Sequence, residues 1–249
     1  MAEDRKTAKR NLQVCFSPQL FELYYDKSSI VVVADIFRAT SAICTAFQYG
    51  AEAILPVATI QEALFYRTRG YLAGGERDGE IVKGFEFGNS PFSFMHDKIK
   101  GGIIALTTTN GTRAIQMAKH AETVVIGAFL NLGALSKWLL EQNRDVIVLC
   151  AGWKNRFNLE DAIFAGALSN NLLESGNFQT DCDSTLTSEL LYSQSREDLY
   201  NFLERSSHRN RLHRLHLEED VKYCLCMDKT EIIPRLKGER LICEMEQYH

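Results

Sequence analysis

The chain has 249 residues, of which 45% are hydrophobic, enough for one compact core. Its four prolines and lack of low-complexity tracts mark no linker, so one domain over residues 1–249 is expected. A formal net charge of −4 sets up no basic field, so neither nucleic acid nor a membrane surface is an expected partner. No apolar segment is long enough to span a bilayer. The charged opening, residues 1–10, lacks the apolar core of a signal peptide and is expected to fray.

The first expected strand is the run 12–16, closed by Ser17-Pro18. Ile30-Val-Val-Val-Ala34 is the second, since short continuous runs rich in valine and isoleucine are strands buried on both faces. It hands over through Asp35-Ile-Phe-Arg38-Ala-Thr40-Ser41 to a helix over 42–49. A short strand at 53–57 and a helix at 60–68 follow. The stretch 74–91 holds five glycines and matches neither GxGxxG nor a Walker A loop, so nucleotide binding is not indicated. It reads either as a surface turn or as a folded loop that brings Glu76, Arg77 and Asn89 to a site. Ser90-Pro91 has the signature of a helix start.

The run Gly102-Ile-Ile-Ala-Leu106 ends in Thr107-Thr108-Thr109-Asn110-Gly111-Thr112-Arg113, where a buried strand should meet a helix. Helix starts present unpaired N–H groups and the positive end of the dipole, and hydroxyls and a guanidinium there suit a phosphate or sulfonate. The alternative is a threonine-rich cap with no ligand. A strand at 123–127 and a helix at 131–141 come next. The strand 145–150 then passes through Ala151-Gly-Trp-Lys154-Asn-Arg156-Phe-Asn158 into a helix over 159–168. Residues 185–205 read as one polar helix, and the helical region 185–219 as a whole can serve as a lid or as a contact in a homo-oligomer. In the basic stretch 208–216, Leu212 and Leu215 are spaced for a buried helical side, with some cations facing a ligand. Residues 232–236 and 241–243 look like terminal strands, with Pro234 at an edge or end.

Strands alternating with helices give an α/β class, a three-layer α/β/α fold with a mixed, mostly parallel sheet. The loaded segments after residues 34, 106 and 150 would all lie beyond the carboxyl ends of strands, where such sheets bind ligands. The nearby acidic residues are Asp35, Glu76, Glu160 and Asp161. An anion site beside carboxylates repels its ligand unless a divalent cation intervenes, and hard carboxylate oxygens suit Mg²⁺. Asp35, Glu76 and Asp161 are the candidate ligands, although Asp35 also fits a cap and Glu160-Asp161 also fit a helix start. The seven cysteines are odd in number, form no CxxC and lie partly in apolar runs, as buried thiols do in a reducing cytoplasm. Cys150 is the one to test for reactivity. Templates for serine hydrolases, zincins and haloacid-dehalogenase-type phosphatases are absent.

The ordered segments Val33-Ala-Asp35-Ile-Phe-Arg38-Ala-Thr40, Gly75-Glu76-Arg77, Gly84-Phe-Glu-Phe-Gly88-Asn89-Ser90-Pro91, Thr107-Thr-Thr-Asn110-Gly-Thr-Arg113 and Arg156-Phe-Asn-Leu-Glu160-Asp161 resemble the 2-phosphosulfolactate phosphatase family. Weaker similarity extends through Ser207-His208, Asp220 to Cys224 and Ile233-Pro234, so most of the chain is covered. The resemblance implies an α/β fold, Mg²⁺ dependence and hydrolysis of a small anionic phosphoester to sulfolactate on a route to coenzyme M. Glu86 stands where the family often has aspartate, and Arg209-Asn210 replaces a glycine-like turn. On this reading Asp35, Arg38, Glu76 and Arg77 are catalytic, and Arg38, Arg77 and Arg113 clamp the anionic ends. Thr40, Asn89, Arg156 and the loop 107–112 complete the substrate site. A phosphatase for another phosphorylated 2-hydroxy acid and a non-catalytic sulfonate- or phosphate-binding module are the rivals.

Overall fold

The computed structural model describes residues 9–77 and 80–243. In chain order the strands are β1 (Arg10–Cys15), β2 (Ile30–Ala34), β3 (Ala53–Pro56), β4 (Leu72–Arg77), β5 (Glu80–Ile81), β6 (Ile103–Thr107), β7 (Thr123–Gly127), β8 (Val146–Cys150), β9 (Phe178–Gln179), β10 (Arg235–Lys237) and β11 (Arg240–Ile242). The α-helices are α1 (Phe21–Tyr24), α2 (Ala39–Gln48), α3 (Ile60–Arg67), α4 (Gly111–Ala118), α5 (Leu132–Gln142), α6 (Leu159–Glu174), α7 (Asp183–Ser195), α8 (Leu199–Phe202), α9 (Ser207–Arg214) and α10 (Glu218–Cys224).

The strands form one mixed sheet in the order β5-β4-β6-β3-β11-β10-β7-β2-β8-β1-β9. β2 pairs in parallel with β7 and β8, and β6 pairs in parallel with β3 and β4. The antiparallel pairings are β4 with β5 and the succession β7-β10-β11-β3, so the parallel block β4-β6-β3 points opposite to the parallel block β7-β2-β8-β1-β9. The valine-rich runs behave as their composition requires, because alternate residues face opposite layers. Ile30, Val32, Val146 and Val148 pack with Leu135 and Leu139 of α5 and Phe164 and Leu168 of α6. Val31, Val33, Ile147 and Leu149 pack on the other face with Ile43 and Phe47 of α2 and Ile115 of α4. Helices thus cover both faces, and the fold is three-layer α/β/α. Helices α6 and α7 cross so closely that a Cβ on Gly166 would lie 1.9 Å from the Ser188 carbonyl oxygen.

Several elements differ from expectation. Strand β1 already begins at Arg10, inside the stretch expected to fray, while residues 1–8 lie outside the described residues. Gly74-Gly75-Glu76-Arg77, read as loop, is the end of β4. Glycine is depleted in strands, but here it permits close backbone approach: a Cβ on Gly75 would meet the Thr107 carbonyl oxygen at 2.5 Å. The polar helix expected over 185–205 is broken after Ser195, because the Asp198 carboxylate accepts from Asn201 N–H at 3.0 Å and caps a new helix. Ser90-Pro91 starts a 3-10 turn rather than an α-helix. The C-terminal hairpin lies inside the sheet, between β3 and β7, and not at an edge. Pro234 precedes β10, so its missing N–H costs no ladder bond, and its carbonyl accepts from Ile126 N–H at 3.0 Å. No helix of the described residues is long and apolar enough to cross a membrane.

Candidate active site

Asp35 follows β2 and Glu76 lies in β4, with five strands between them in the sheet order. In a flat sheet six spacings of about 4.8 Å would hold them roughly 29 Å apart. Instead Arg38 Nη2, three residues beyond Asp35, lies 3.5 Å from Glu76 Oε2, so the sheet twists and curls until the carboxyl ends of its two opposed blocks meet. The convergence encloses a cavity of about 630 Å³ lined by Asp35, Phe37, Glu76, Arg77, Asn89, Thr108, Thr109, Asn110, Trp153, Lys154, His208, Arg211 and Arg214 among others.

One wall is the start of α4. Thr112 N–H donates to Thr108 Oγ1 at 3.0 Å, Thr108 N–H donates to Thr112 Oγ1 at 3.3 Å, and the Thr112 hydroxyl donates to the Thr108 carbonyl at 2.7 Å. The two threonines clamp each other, which leaves Thr109 and Asn110 facing the cavity. The Thr112 amide is occupied by Thr108 Oγ1 and the Gly111 amide bonds the Asp35 carboxyl, so α4 offers an anion chiefly the positive end of its dipole. Gly111 is needed here because a Cβ would lie 2.7 Å from Ala39 Cβ and 2.9 Å from Asp35 Oδ2. Arg77 extends this wall by donating to the Glu76 carbonyl at 2.7 Å and to Thr107 Oγ1 at 3.2 Å.

Asp35 is 4% exposed, and Thr40 N–H and Oγ1 bond its backbone C=O and N–H. Burial pushes its carboxyl up to about 6, Glu160 and Glu76 add to the rise, and His208 and the Gly111 N–H oppose it. Glu76 Oε2 and Asn89 Oδ1 are buried oxygens with no hydrogen-bond donor. Two carboxylates and a carboxamide oxygen, with Asn89 Oδ1 unpartnered and Glu76 Oε2 met only by the Arg38 guanidinium at 3.5 Å, suit a hard cation that takes only one or two carboxylates and keeps water or substrate oxygens. No group of three or more carboxylate, imidazole or thiol residues among the described residues could by itself hold a metal ion.

Of the residues singled out in the sequence, Asp35, Glu76, Arg77, Asn89, Thr108, Thr109 and Asn110 meet in this cavity. The others hold its frame. Buried Arg38 pairs with Asp220 at 2.5 Å and with Glu76, and so does not face the cavity as a clamp. Thr40 and Thr112 fix backbone turns, Thr107 anchors Arg77, and Gly111 permits the close packing of α4 on Ala39 and Asp35. Arg113 is exposed and donates to Asn155 Oδ1, and Arg156 is exposed outside the lining. Asp161 is fully buried. It spends Oδ1 on Ile36 N–H at 2.8 Å and Oδ2 on Gly152 N–H at 3.0 Å, tying the turn after β2 to the turn after β8. Burial first, then Asp35 and Glu160, push its carboxyl well above the usual range. Both oxygens are therefore engaged by the backbone, away from the cavity lining. The Cys150 thiol is buried and held well above its ordinary pKa, chiefly by burial, as an unreactive packing thiol is.

The opposite wall was not read as a unit from sequence. His208 Nδ1 lies 2.7 Å from Glu160 Oε1. Glu160 is fully buried and also accepts from Asn158 Nδ2 at 3.1 Å and from the Ser206 hydroxyl at 3.2 Å. The imidazole stacks on Trp153 with centroids 5.6 Å apart and 6° between planes, and Phe37 meets it edge-on. Trp153 is presented by a tight turn: its N–H and C=O pair with those of Arg156, and Lys154 and Asn155 both have positive φ. Glu160 and His208 are 48 residues apart, and no local spacing links them.

The family model described as 2-phosphosulpholactate phosphatase matches residues 15–239. A probable 2-phosphosulfolactate phosphatase of Caldanaerobacter subterraneus subsp. tengcongensis is 38% identical over 217 residues, covering 85% of this chain and 89% of that protein. One from Thermotoga petrophila is 39% identical over 82% of this chain and 88% of its own length. One from Gloeobacter violaceus is 38% identical over 82% of this chain and 86% of its own length. The curled sheet therefore frames the site of a chain that belongs to the 2-phosphosulfolactate phosphatase family.

Proposed function

We propose that this protein is a Mg²⁺-dependent phosphoric monoester hydrolase that converts 2-phosphosulfolactate and water into sulfolactate and phosphate. Family membership supports the reaction class. The observation that carries the chemistry is the meeting, in one cavity, of the positive end of a helix, an arginine, two carboxylates and a carboxylate-held histidine. Cytoplasmic location and a place on a route to coenzyme M belong to the same reading.

The phosphoryl group sits at the positive end of α4 against the Thr109 and Asn110 side chains, with Arg77 offsetting its charge. Asp35 and Glu76, which line the cavity, would hold the cation, and the unpartnered Asn89 carbonyl oxygen would be a further oxygen donor. When bound, Mg²⁺ neutralises charge on phosphoryl oxygens and makes bound water a better nucleophile. Phe37 and Trp153 fix the His208 ring and shed water from it. With Nδ1 held by Glu160, His208 Nε2 is the atom that hands a proton to the departing alkoxide oxygen. Arg38 and Asp161 act through the frame and touch no substrate. Catalysis by positioned charges and amides is what phosphoryl transfer chiefly demands.

The test is phosphate release from 2-phosphosulfolactate by purified protein with and without Mg²⁺, beside Asp35→Asn. Metal-dependent turnover lost in the variant is expected. Folded, metal-supplied protein that releases phosphate from no ester refutes the hydrolase reading.

A further inference from the structure

The cavity has more cationic capacity than a phosphate needs. Arg77 already stands beside the α4 amides, anchored to Thr107 on the wall built from β4 and β6. Lys154, Arg211 and Arg214 also line the cavity, and none of them has a carboxylate partner among the described residues. They come from the other side of the fold. Leu212 of α9 belongs to the core on the α5–α6 face, whereas Ile115 of α4 belongs to the core on the α2 face. The two groups of cations therefore enter the cavity from opposite layers.

The placement follows from the helix. His208, Arg211 and Arg214 are three residues apart, which lines them along one side of α9. The row is oriented by Leu212, which is 2% exposed, and by His208 bound to Glu160. The remaining charged groups of this helix have tasks elsewhere. The Arg209 guanidinium lies 4.2 Å from the Tyr200 ring centroid, and His213 Nε2 lies 3.4 Å from Glu218 Oε1. Arg211 is half-buried, so its charge is partly desolvated without a counter-ion, while Lys154 reaches over the Trp153 ring at 4.8 Å. Unpaired guanidinium groups held in a row at a cavity wall are a ready receptor for a planar or trigonal oxyanion.

We propose that Arg211 and Arg214, with Lys154 at the rim, form a second anion subsite that selects small phosphoesters whose organic part carries a further sulfonate or carboxylate. This rests on the phosphatase reading for the first anion, and it assigns to α9 the role the sequence suggested for Arg38 and Arg113. Because the carboxylates and Arg77 lie with α4 and the free arginines lie with His208, the substrate spans the cavity. Its phosphate faces α4 and its second anion faces α9, with the ester oxygen beside His208.

Two readouts test the subsite. First, kcat/KM is measured for wild type, Arg211→Gln, Arg214→Gln and the double variant on 2-phosphosulfolactate, 2-phospholactate and isopropyl phosphate. Loss of a hydrogen bond to a charged group is worth about 1.5–3 kcal/mol, or roughly 10- to 150-fold, so each variant should lose that much on the two anion-bearing esters, mainly through KM. The loss on isopropyl phosphate should be at least about tenfold smaller, which a general structural defect would not produce. Second, calorimetric binding of sulfolactate, which needs no turnover, should weaken by about tenfold or more in the double variant. Equal losses on charged and uncharged esters, or unaltered sulfolactate affinity in a double variant of wild-type melting temperature, overturn the subsite. If wild type hydrolyses no ester while sulfolactate binding depends on the two arginines, the hydrolase reading fails and the subsite stands.

Discussion

Replacing Gly111 by alanine isolates the contact between α4 and the Asp35 turn. The added Cβ would sit 2.7 Å from Ala39 Cβ, 2.9 Å from Asp35 Oδ2 and 3.3 Å from Thr108 Oγ1. Carbon atoms settle at about 3.5–4.0 Å, so one side must retreat by roughly 1 Å. Ala39 opens α2, whose residues 39–47 are all buried, so the first turn of α4 gives way and carries Thr109 and Asn110 with it. A misplacement of about 1 Å at a reacting centre costs on the order of a hundredfold in rate. Stability changes less, since overpacking costs about 1–3 kcal/mol while alanine regains about 0.5–1 kcal/mol of helix preference over glycine. The expected variant is folded, melts within several degrees of wild type, and has kcat reduced about a hundredfold in a phosphate-release assay. Activity within about threefold of wild type refutes the claim that this close approach sets the site, because the expected barrier change is several times larger.

Asp220→Ala removes the partner of buried Arg38 and the acceptor of the Ser90 hydroxyl, and breaking such a pair costs about 3–5 kcal/mol. The melting temperature should fall by on the order of 10 °C, and a fall of less than about 2 °C would show that Glu76 alone satisfies Arg38. For Asp35, a folded-state value raised to about 6 from 3.8 means that the folded chain keeps a proton the unfolded chain has released. Its contribution to stability therefore declines as pH rises between those values. In chelator, the urea midpoint of Asp35→Asn minus that of wild type should grow from pH 4 to pH 7, and a difference independent of pH contradicts the assigned burial. His208→Asn should lose about 10²- to 10⁴-fold on an alkyl phosphoester and much less on 4-nitrophenyl phosphate, whose phenolate departs without a proton. Equal loss on both esters removes His208 from proton donation.

What the sequence revealed divides along the line between local and distant contacts. The runs 30–34, 102–106 and 145–150 declared buried strands, and the polar segments that follow them marked the carboxyl ends that line the cavity, because strand and turn chemistry are local. That β6 points opposite to β2 and β8, so that these ends share no edge and meet only by curling, was not legible. The end of β4 was hidden because Gly74 and Gly75 are poor strand formers, and only the proximity of Thr107 explains them. Among cations, Arg38, Arg113 and Arg156 were as conspicuous in sequence as Arg77, yet only Arg77 of the four lines the cavity, and for Arg38 and Arg113 partners far along the chain decide this. Asp220 lies 182 residues from Arg38, and Asn155 lies 42 from Arg113. Asp161 looked like a metal ligand for its type and position, and the backbone amides that occupy it leave no mark on the sequence. In the basic stretch at 208–216 the leucine spacing did signal a buried side, at Leu212, and Arg211 and Arg214 of the same helix line the cavity.

The position of the last hairpin bears on how the chain reaches this fold during synthesis. The β10–β11 hairpin follows every other strand in the chain, yet it joins β3 to β7 in the middle of the sheet. Until it emerges from the ribosome, the nascent protein carries two half-sheets with facing edges unpaired, each a template for another chain. Cotranslational folding can complete each half but not the whole. A chain halted before residue 235 should therefore be soluble only while escorted, and strand pairing between copies is its characteristic failure.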